Sequence, residues 1–95
     1  IIIPYLSPID NRFHRYFTDF YAKIKDSAGN ITKYIIEVKP RAQRKRPKRG
    51  NNKIKYIKEV KTYAVNQAKW EAAELWCKKY GYTFRVLDEI DLGIK

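Results

Sequence analysis

Methionine is absent from this 95-residue chain, and cysteine, histidine, proline and glycine are scarce, at one, one, four and four residues. The single cysteine, Cys77, excludes a disulfide framework and a cysteine zinc cluster, and it predicts a reducing intracellular compartment, not a secreted protein. His14 has no second histidine with which to build a zinc site. No apolar run approaches the roughly 18 residues of a membrane span, and no signal-peptide pattern opens the chain, so no membrane association is expected. Acids are outnumbered: 10 Asp and Glu face 21 Lys and Arg, for a net charge of +11. Such a charge calls for a polyanionic partner and says little about fold. Hydrophobic residues at 44% and aromatics at 15% exclude a disordered basic tail. A chain this short is one domain, residues 1–95, and buries only roughly 60–65% of its unfolded surface. The missing methionine and the opening Ile1-Ile2-Ile3 predict a fragment or processed product that lacks its true N-terminus.

What is present organises into strands and one helix. Ile1 to Tyr5 predicts a short buried strand, stopped by Pro4 and Pro8. Residues 7–12 (Ser-Pro-Ile-Asp-Asn-Arg) predict a turn. Tyr16 to Lys25 alternates between two faces and predicts one continuous strand. Residues 26–30 (Asp-Ser-Ala-Gly-Asn) predict a hairpin turn, and Ile31 to Lys39 the returning strand, ended by Pro40. Residues 41–53 are expected to form a basic loop. From about Ile57 to Tyr80 the period lengthens. Ile57, Val60, Ala64, Ala68, Ala72, Leu75 and Trp76 predict the buried face of a long helix, with Gly81 as its C-cap. Residues 82–87 predict a last strand and 88–95 a ragged end. The fold class is therefore α/β: a mixed sheet in the order strand, hairpin, long helix, strand.

The hairpin turn carries most of the functional information. A three-residue loop of Ser27, Ala28 and Gly29 places glycine where a left-handed residue is required. That loop pairs Asp26 with Asn30 and, counting outward, brings Asp19 opposite Glu37. A five-residue loop gives the same register, whereas a two- or four-residue loop separates the carboxylates onto opposite faces. In the odd register the Cβ atoms of Asp19 and Glu37 lie about 4.5–5.5 Å apart. Lys39 shares their face. Two close carboxylates repel, and a shared proton or a bound cation relieves them. Hard oxygen donors suit Mg²⁺ or Mn²⁺. A neighbouring lysine can orient water and offset phosphate charge, so the set suits metal-assisted phosphodiester hydrolysis. The same residues also suit a cross-strand surface network of ion pairs. Glu59-Val60-Lys61 repeats the tripeptide at the start of the helix pattern, where i and i+2 diverge and cannot serve one metal.

At these residues the chain resembles the PD-(D/E)XK nuclease superfamily, the restriction-endonuclease-like fold, and within it the head-completion nucleases of T-even-type tailed phages. The resemblance rests on residues 3–12 (Ile-Pro-Tyr-Leu-Ser-Pro-Ile-Asp-Asn-Arg), His14-Arg15-Tyr16-Phe17, Asp19-Phe20, Ile36-Glu37-Val38-Lys39-Pro40 and residues 66–73 (Asn-Gln-Ala-Lys-Trp-Glu-Ala-Ala), with the last strand and Asp88-Glu89 also alike. It implies a metal-dependent deoxyribonuclease. Asp19 and Glu37 would hold the metal, the carbonyl of Val38 would complete its shell, and Lys39 would serve the nucleophilic water. Gln67 resembles an auxiliary helix glutamine of related nucleases; its place beside Ala64 and Ala68 equally suits a satisfied buried amide. The resemblance further implies DNA as substrate, phage head or portal proteins as candidate partners, and a virion or host-cytoplasm setting. Superfamily members usually carry an acidic residue on a helix before the first strand, so an N-terminal helix is expected to be missing.

Lys39 to Lys61 holds 11 of the 21 basic residues and a single acid, Glu59. Arg41, Arg44, Lys45, Arg46, Lys48, Arg49 and Lys53 are expected to clamp DNA phosphates, joined by Arg12 and Arg15. A solvated flexible loop would have the same composition. Phosphate contacts position without specifying, so sequence-independent or structure-dependent binding is expected. His14 is expected to be a packing or surface residue, and Asp10 and Arg12 to serve a turn network. Tyr34 takes the face opposite Glu37, which is expected to be the helix-packed one. Trp76 and Cys77 are expected in the core. Two other readings fit the charge: a non-catalytic nucleic-acid-binding or virion structural module, and an RNA-binding protein of ribosomal type.

Overall fold

A computed structural model of the protein describes residues 1–93. Strands β1 (Ile2–Leu6) and β2 (Phe13–Phe17) form an antiparallel hairpin, with Ile3 opposite Tyr16. Its turn is the predicted one. Ser7 N–H donates to the Arg12 carbonyl and Asn11 N–H to the Ser7 carbonyl, both at 2.9 Å. Asp10 accepts the Arg12 N–H at 3.0 Å. Asn11 adopts φ 55°, a left-handed conformation that asparagine tolerates.

Strands β3 (Phe20–Lys25) and β4 (Ile31–Val38) form the second hairpin. Their ladder runs from Lys25↔Ile31 to Phe20↔Ile36, which is the register expected from the three-residue loop. Gly29 sits at φ 89°, and its N–H donates to the Asp26 carbonyl at 3.1 Å. The Asp26 carboxylate also accepts the N–H groups of Ala28 and Asn30, so the turn is closed from within. β5 (Thr83–Leu87) pairs parallel to β4 from Tyr34↔Thr83 to Val38↔Leu87, which leaves β4 central in the order β3-β4-β5.

The single strand expected over 16–25 is broken at Thr18-Asp19, so the strands fall into two sheets, β1-β2 and β3-β4-β5. The cause is local. The Asp19 side chain takes the Val38 N–H at 2.9 Å, a group that a continuing ladder would otherwise pair through backbone. The loop expected over 41–53 opens instead with one helical turn, α1 (Arg41–Arg44), entered through Pro40. The end expected to be ragged over 88–95 is described only to residue 93. Up to there it is turned back on itself, with Leu92 N–H donating to the Asp88 carbonyl at 3.1 Å.

Helix α2 (Lys53–Tyr80) starts earlier than the period suggested, because Asn52 caps it by accepting the Lys55 N–H at 3.0 Å. It ends at Gly81, left-handed at φ 80°, as expected. The buried face is only partly the predicted one: Ala68, Ala72 and Trp76 pack against the core and Cys77 lies in it, as expected, but the face is shifted. Asn66, Ala73 and Cys77 are buried, while Leu75 is 65% exposed and Ile57 and Val60 are also exposed. Ala73 and Cys77 pack in one core cluster with Ile35 and Phe84, and larger groups such as Trp70 and Trp76 pack against it. The helix therefore covers the sheet face of Ile35, Glu37 and Phe84. The expectation that the Tyr34 face would be helix-packed is corrected. The core joins Ile3, Tyr5 and Tyr16 of the first hairpin to Ile35, Phe84, Ala73 and Cys77. Burial, helped by Glu74, pushes the Cys77 thiol up to about 11, which keeps it neutral at ordinary pH.

Candidate active site

Covering the Glu37 face with a helix buries a carboxylate at the end of the central strand. Glu37 is 5% exposed. Its Oε2 accepts the Tyr16 hydroxyl at 2.7 Å, and its Oε1 lies 3.6 Å from Lys39 Nζ. Burial raises the Glu37 carboxyl above its ordinary value, and the nearby Asp19 charge raises it further. The Tyr16 hydrogen bond and Lys39 oppose that rise. Tyr16 is pushed up in turn, first by burial and then by Glu37, so its hydroxyl stays a donor.

Asp19 reaches the site differently from the simple ladder. It stands at the strand break, exposed, with its Oδ2 on the Val38 N–H. The carboxylate is thus tied to the end of β4 by a backbone group, not merely opposite it. Lys39 N–H donates to the Leu87 carbonyl at 2.9 Å, so the β4–β5 pairing extends through Lys39 and fixes its direction. Asp19, Glu37, Val38 and Lys39 therefore meet at one end of β4. Among the described residues, no group of three His, Cys, Asp or Glu side chains is placed to hold a metal ion. Any such ion would rest on Asp19, Glu37 and carbonyl oxygen.

Gln67 is exposed, so the buried-amide alternative fails. It lines an open groove of about 560 Å³ with Trp70, Glu71, Phe84, Arg85 and Arg44. The buried amide is its neighbour Asn66, 4% exposed, whose Nδ2 has no hydrogen-bond partner among the described residues. Two site neighbours escaped the sequence reading. Tyr16 holds Glu37, and Lys69 Nζ lies 5.6 Å from the Tyr16 ring centroid and 5.8 Å from that of Tyr5. Both fall in stretches that carried the resemblance, yet nothing in their spacing says that they converge.

The basic residues divide. Arg12 and Arg15 are exposed on the first hairpin, and the Arg15 guanidinium lies 5.7 Å from the Phe17 ring centroid. Arg41 and Arg44 turn inward onto Asp88. Lys45, Arg46, Lys48 and Arg49 are exposed and, among the described residues, take part in no ion pair. Lys53 opens α2. His14 Nε2 sits 2.7 Å from Asp10 Oδ2, and this hydrogen bond is the main cause lowering the Asp10 carboxyl. The pair belongs to the turn network.

A raised Glu37 carboxyl has a thermodynamic sign. Its folded value lies above its unfolded value, so ionisation favours the unfolded chain. The penalty is absent below the unfolded value, near pH 4 (about 4.3 for free Glu), and grows as pH rises through the folded one. Glu37→Gln keeps an acceptor for Tyr16 and removes the charge. The variant is expected to melt higher than the parent at neutral pH, with roughly 4–8 °C for each kcal/mol gained, and the difference is expected to close towards about pH 4. Thermal unfolding followed by circular dichroism across that range measures it. A variant that melts lower at neutral pH contradicts the expectation.

Comparison with known proteins bears on most of the chain. The family described as "TnsA-like endonuclease N terminal" matches residues 1–89. The head completion nuclease of Enterobacteria phage T4 is 33% identical over 93 residues, an alignment covering 93% of this chain and 59% of that protein. The chain thus spans less than two thirds of the length of that relative. No solved structure matches it.

Proposed function

The chain belongs to the family of TnsA-like N-terminal endonuclease domains, and from that premise we propose that it hydrolyses phosphodiester bonds of DNA with Mg²⁺ or Mn²⁺, in the setting of phage head completion. The observation that carries the reading is the buried Glu37 carboxylate, raised by burial and by Asp19 and faced by Lys39. A structural ion pair has no need of a second acid beside it. The donor set, two carboxylates and the Val38 carbonyl, consists of hard oxygens and fits either ion. The likeness to the phage T4 head completion nuclease supports the setting and DNA as the substrate. Head or portal proteins are the further partners of this reading. No helix among the described residues is long and apolar enough to cross a membrane.

A bound divalent ion supplies Lewis acidity at the phosphoryl group and positive charge against the charge that develops there. The remaining work belongs to the chain. Asp19 and Glu37 present the anionic donors. Tyr16 holds Glu37 Oε2, so the carboxylate keeps one orientation when phosphate arrives. Lys39 Nζ orients the attacking water and balances the phosphate charge, in line with the departing 3′-oxygen. Lys69, over the Tyr16 ring, adds positive potential on the helix side.

The test is direct. Supercoiled and linear DNA are incubated with the protein in Mg²⁺, in Mn²⁺ and in EDTA. Nicking or linearisation in either metal, abolished by EDTA, is the expected result. DNA binding without cutting in both metals overturns it in favour of a non-catalytic binding module.

A further inference from the structure

The most connected side chain outside the candidate active site is an acid. Asp88 ends the last strand and is 1% exposed. Its Oδ1 accepts the N–H groups of Ile90 and Asp91, each at 3.0 Å. Its Oδ2 accepts Arg44 Nη1 at 2.9 Å and lies 3.3 Å from Arg41 Nε. The neighbouring acids add to the hold. Arg44 Nη1 is 3.5 Å from Asp91 Oδ2, and the Arg41 N–H donates to Glu89 Oε2 at 3.0 Å. Arg41 and Arg44 stand three residues apart on the single turn of α1, so both guanidinium groups reach the same carboxylate.

This arrangement has a consequence for the basic segment. A run of like charges repels itself and stays unordered unless something fixes it. Lys45, Arg46, Lys48 and Arg49 leave directly from the turn that Asp88 holds, and that turn begins two residues after Lys39. Two of the positive charges are paired with Asp88, and the place where the other four begin is thereby set.

We propose that Asp88 is a positioning residue that docks α1 on the end of β5, so that the basic segment starts beside the Lys39 end of β4 and meets DNA there. Arg41 and Arg44 then act as struts of this anchor and not as phosphate ligands. The inference rests on the nuclease reading for its DNA partner, whereas the docking itself does not.

Simple electrostatics and the anchor predict opposite signs. Removing a negative charge from a DNA-binding surface strengthens DNA binding. If Asp88 is the anchor, Asp88→Asn weakens it. The expected result is a rise in KM for DNA of about tenfold, with kcat at saturating DNA unchanged, because the freed segment must be ordered on binding. Without DNA, trypsin should cut after Lys45, Lys48 and Arg49 about tenfold faster in Asp88→Asn, because cleavage follows the population of the undocked segment. Arg44→Ala, a substitution at an exposed position, should accelerate the same cuts and covers the case in which Asp88→Asn fails to fold. Trypsin rates unchanged in Arg44→Ala, or tighter DNA binding by Asp88→Asn, overturn the proposal. If the parent protein neither binds nor cuts DNA while both variants are cleaved faster by trypsin, the docking stands and the nuclease reading fails.

Discussion

Lys39→Ala is expected to cut DNA about 10²–10⁴-fold more slowly than the parent while binding it almost as well. The reasoning begins with position. Lys39 is half-buried, its backbone is bonded to Leu87, and its ammonium faces Glu37 Oε1 at 3.6 Å. It is held at the Glu37 end of β4 and is one positive charge among 21. On the proposed reading, losing it removes little of the field that would draw DNA, but it removes the group that would face the scissile phosphate. A surface ion pair would behave differently, since truncating one costs about 0–1 kcal/mol and leaves catalysis alone. Asp19→Asn is the companion. Its amide oxygen can still accept the Val38 N–H, so the strand break survives while the charge is lost. Cleavage should fall with little change in melting temperature. Single-turnover cleavage at saturating DNA, with affinity measured separately in EDTA, resolves the two quantities. Cleavage by Lys39→Ala within about threefold of the parent would remove Lys39 from the mechanism.

Replacing Lys45, Arg46, Lys48 and Arg49 together with alanine is expected to weaken DNA binding by on the order of 10²–10³-fold at about 0.1 M salt. The slope of log affinity against log salt should also flatten by about 3 to 4. These four side chains are exposed and free of ion pairs among the described residues, so each can meet a phosphate without first breaking an internal contact. Arg41 and Arg44 lack that freedom and would contribute less than their number suggests. Melting temperature should change little, because no buried group is removed. Kd measured by fluorescence anisotropy at several salt concentrations decides the matter. An unchanged slope would place the phosphate contacts elsewhere, with Arg12, Arg15 and the α2 lysines as the next surfaces to alter.

Much of the first half of the fold was legible because it is written in local rules. The three-residue turn requires a left-handed residue, Gly29 supplies it, and that loop length sets the register of β3 on β4. The strand break was not legible. Alternation continues through Thr18-Asp19, and only the contact of Asp19 with a backbone group nineteen residues away interrupts it. The helix was found, with Ala68, Ala72, Trp76 and Cys77 inward as expected, but Ile57, Val60 and Leu75 were wrongly placed on its buried face. Periodicity weights large apolar residues such as Leu75, while close packing on Ile35 and Phe84 selects Ala73 and Cys77. The covered sheet face was also assigned wrongly, to the side of Tyr34, and so the burial of Glu37 was missed.

The sequence by itself determined the charge, the α/β order, the turn geometry and the meeting of Asp19, Glu37 and Lys39 at one strand end, because each follows from composition or from contacts counted along a hairpin. Tertiary structure decided the chemical character of that meeting. Only when α2 covers the sheet does Glu37 become a buried carboxylate with Tyr16 as its donor, and only when β5 lies beside β4 does Asp88 take hold of Arg41 and Arg44. Burial and ion pairing between distant segments depend on which faces come together, and no local rule along the chain specifies that.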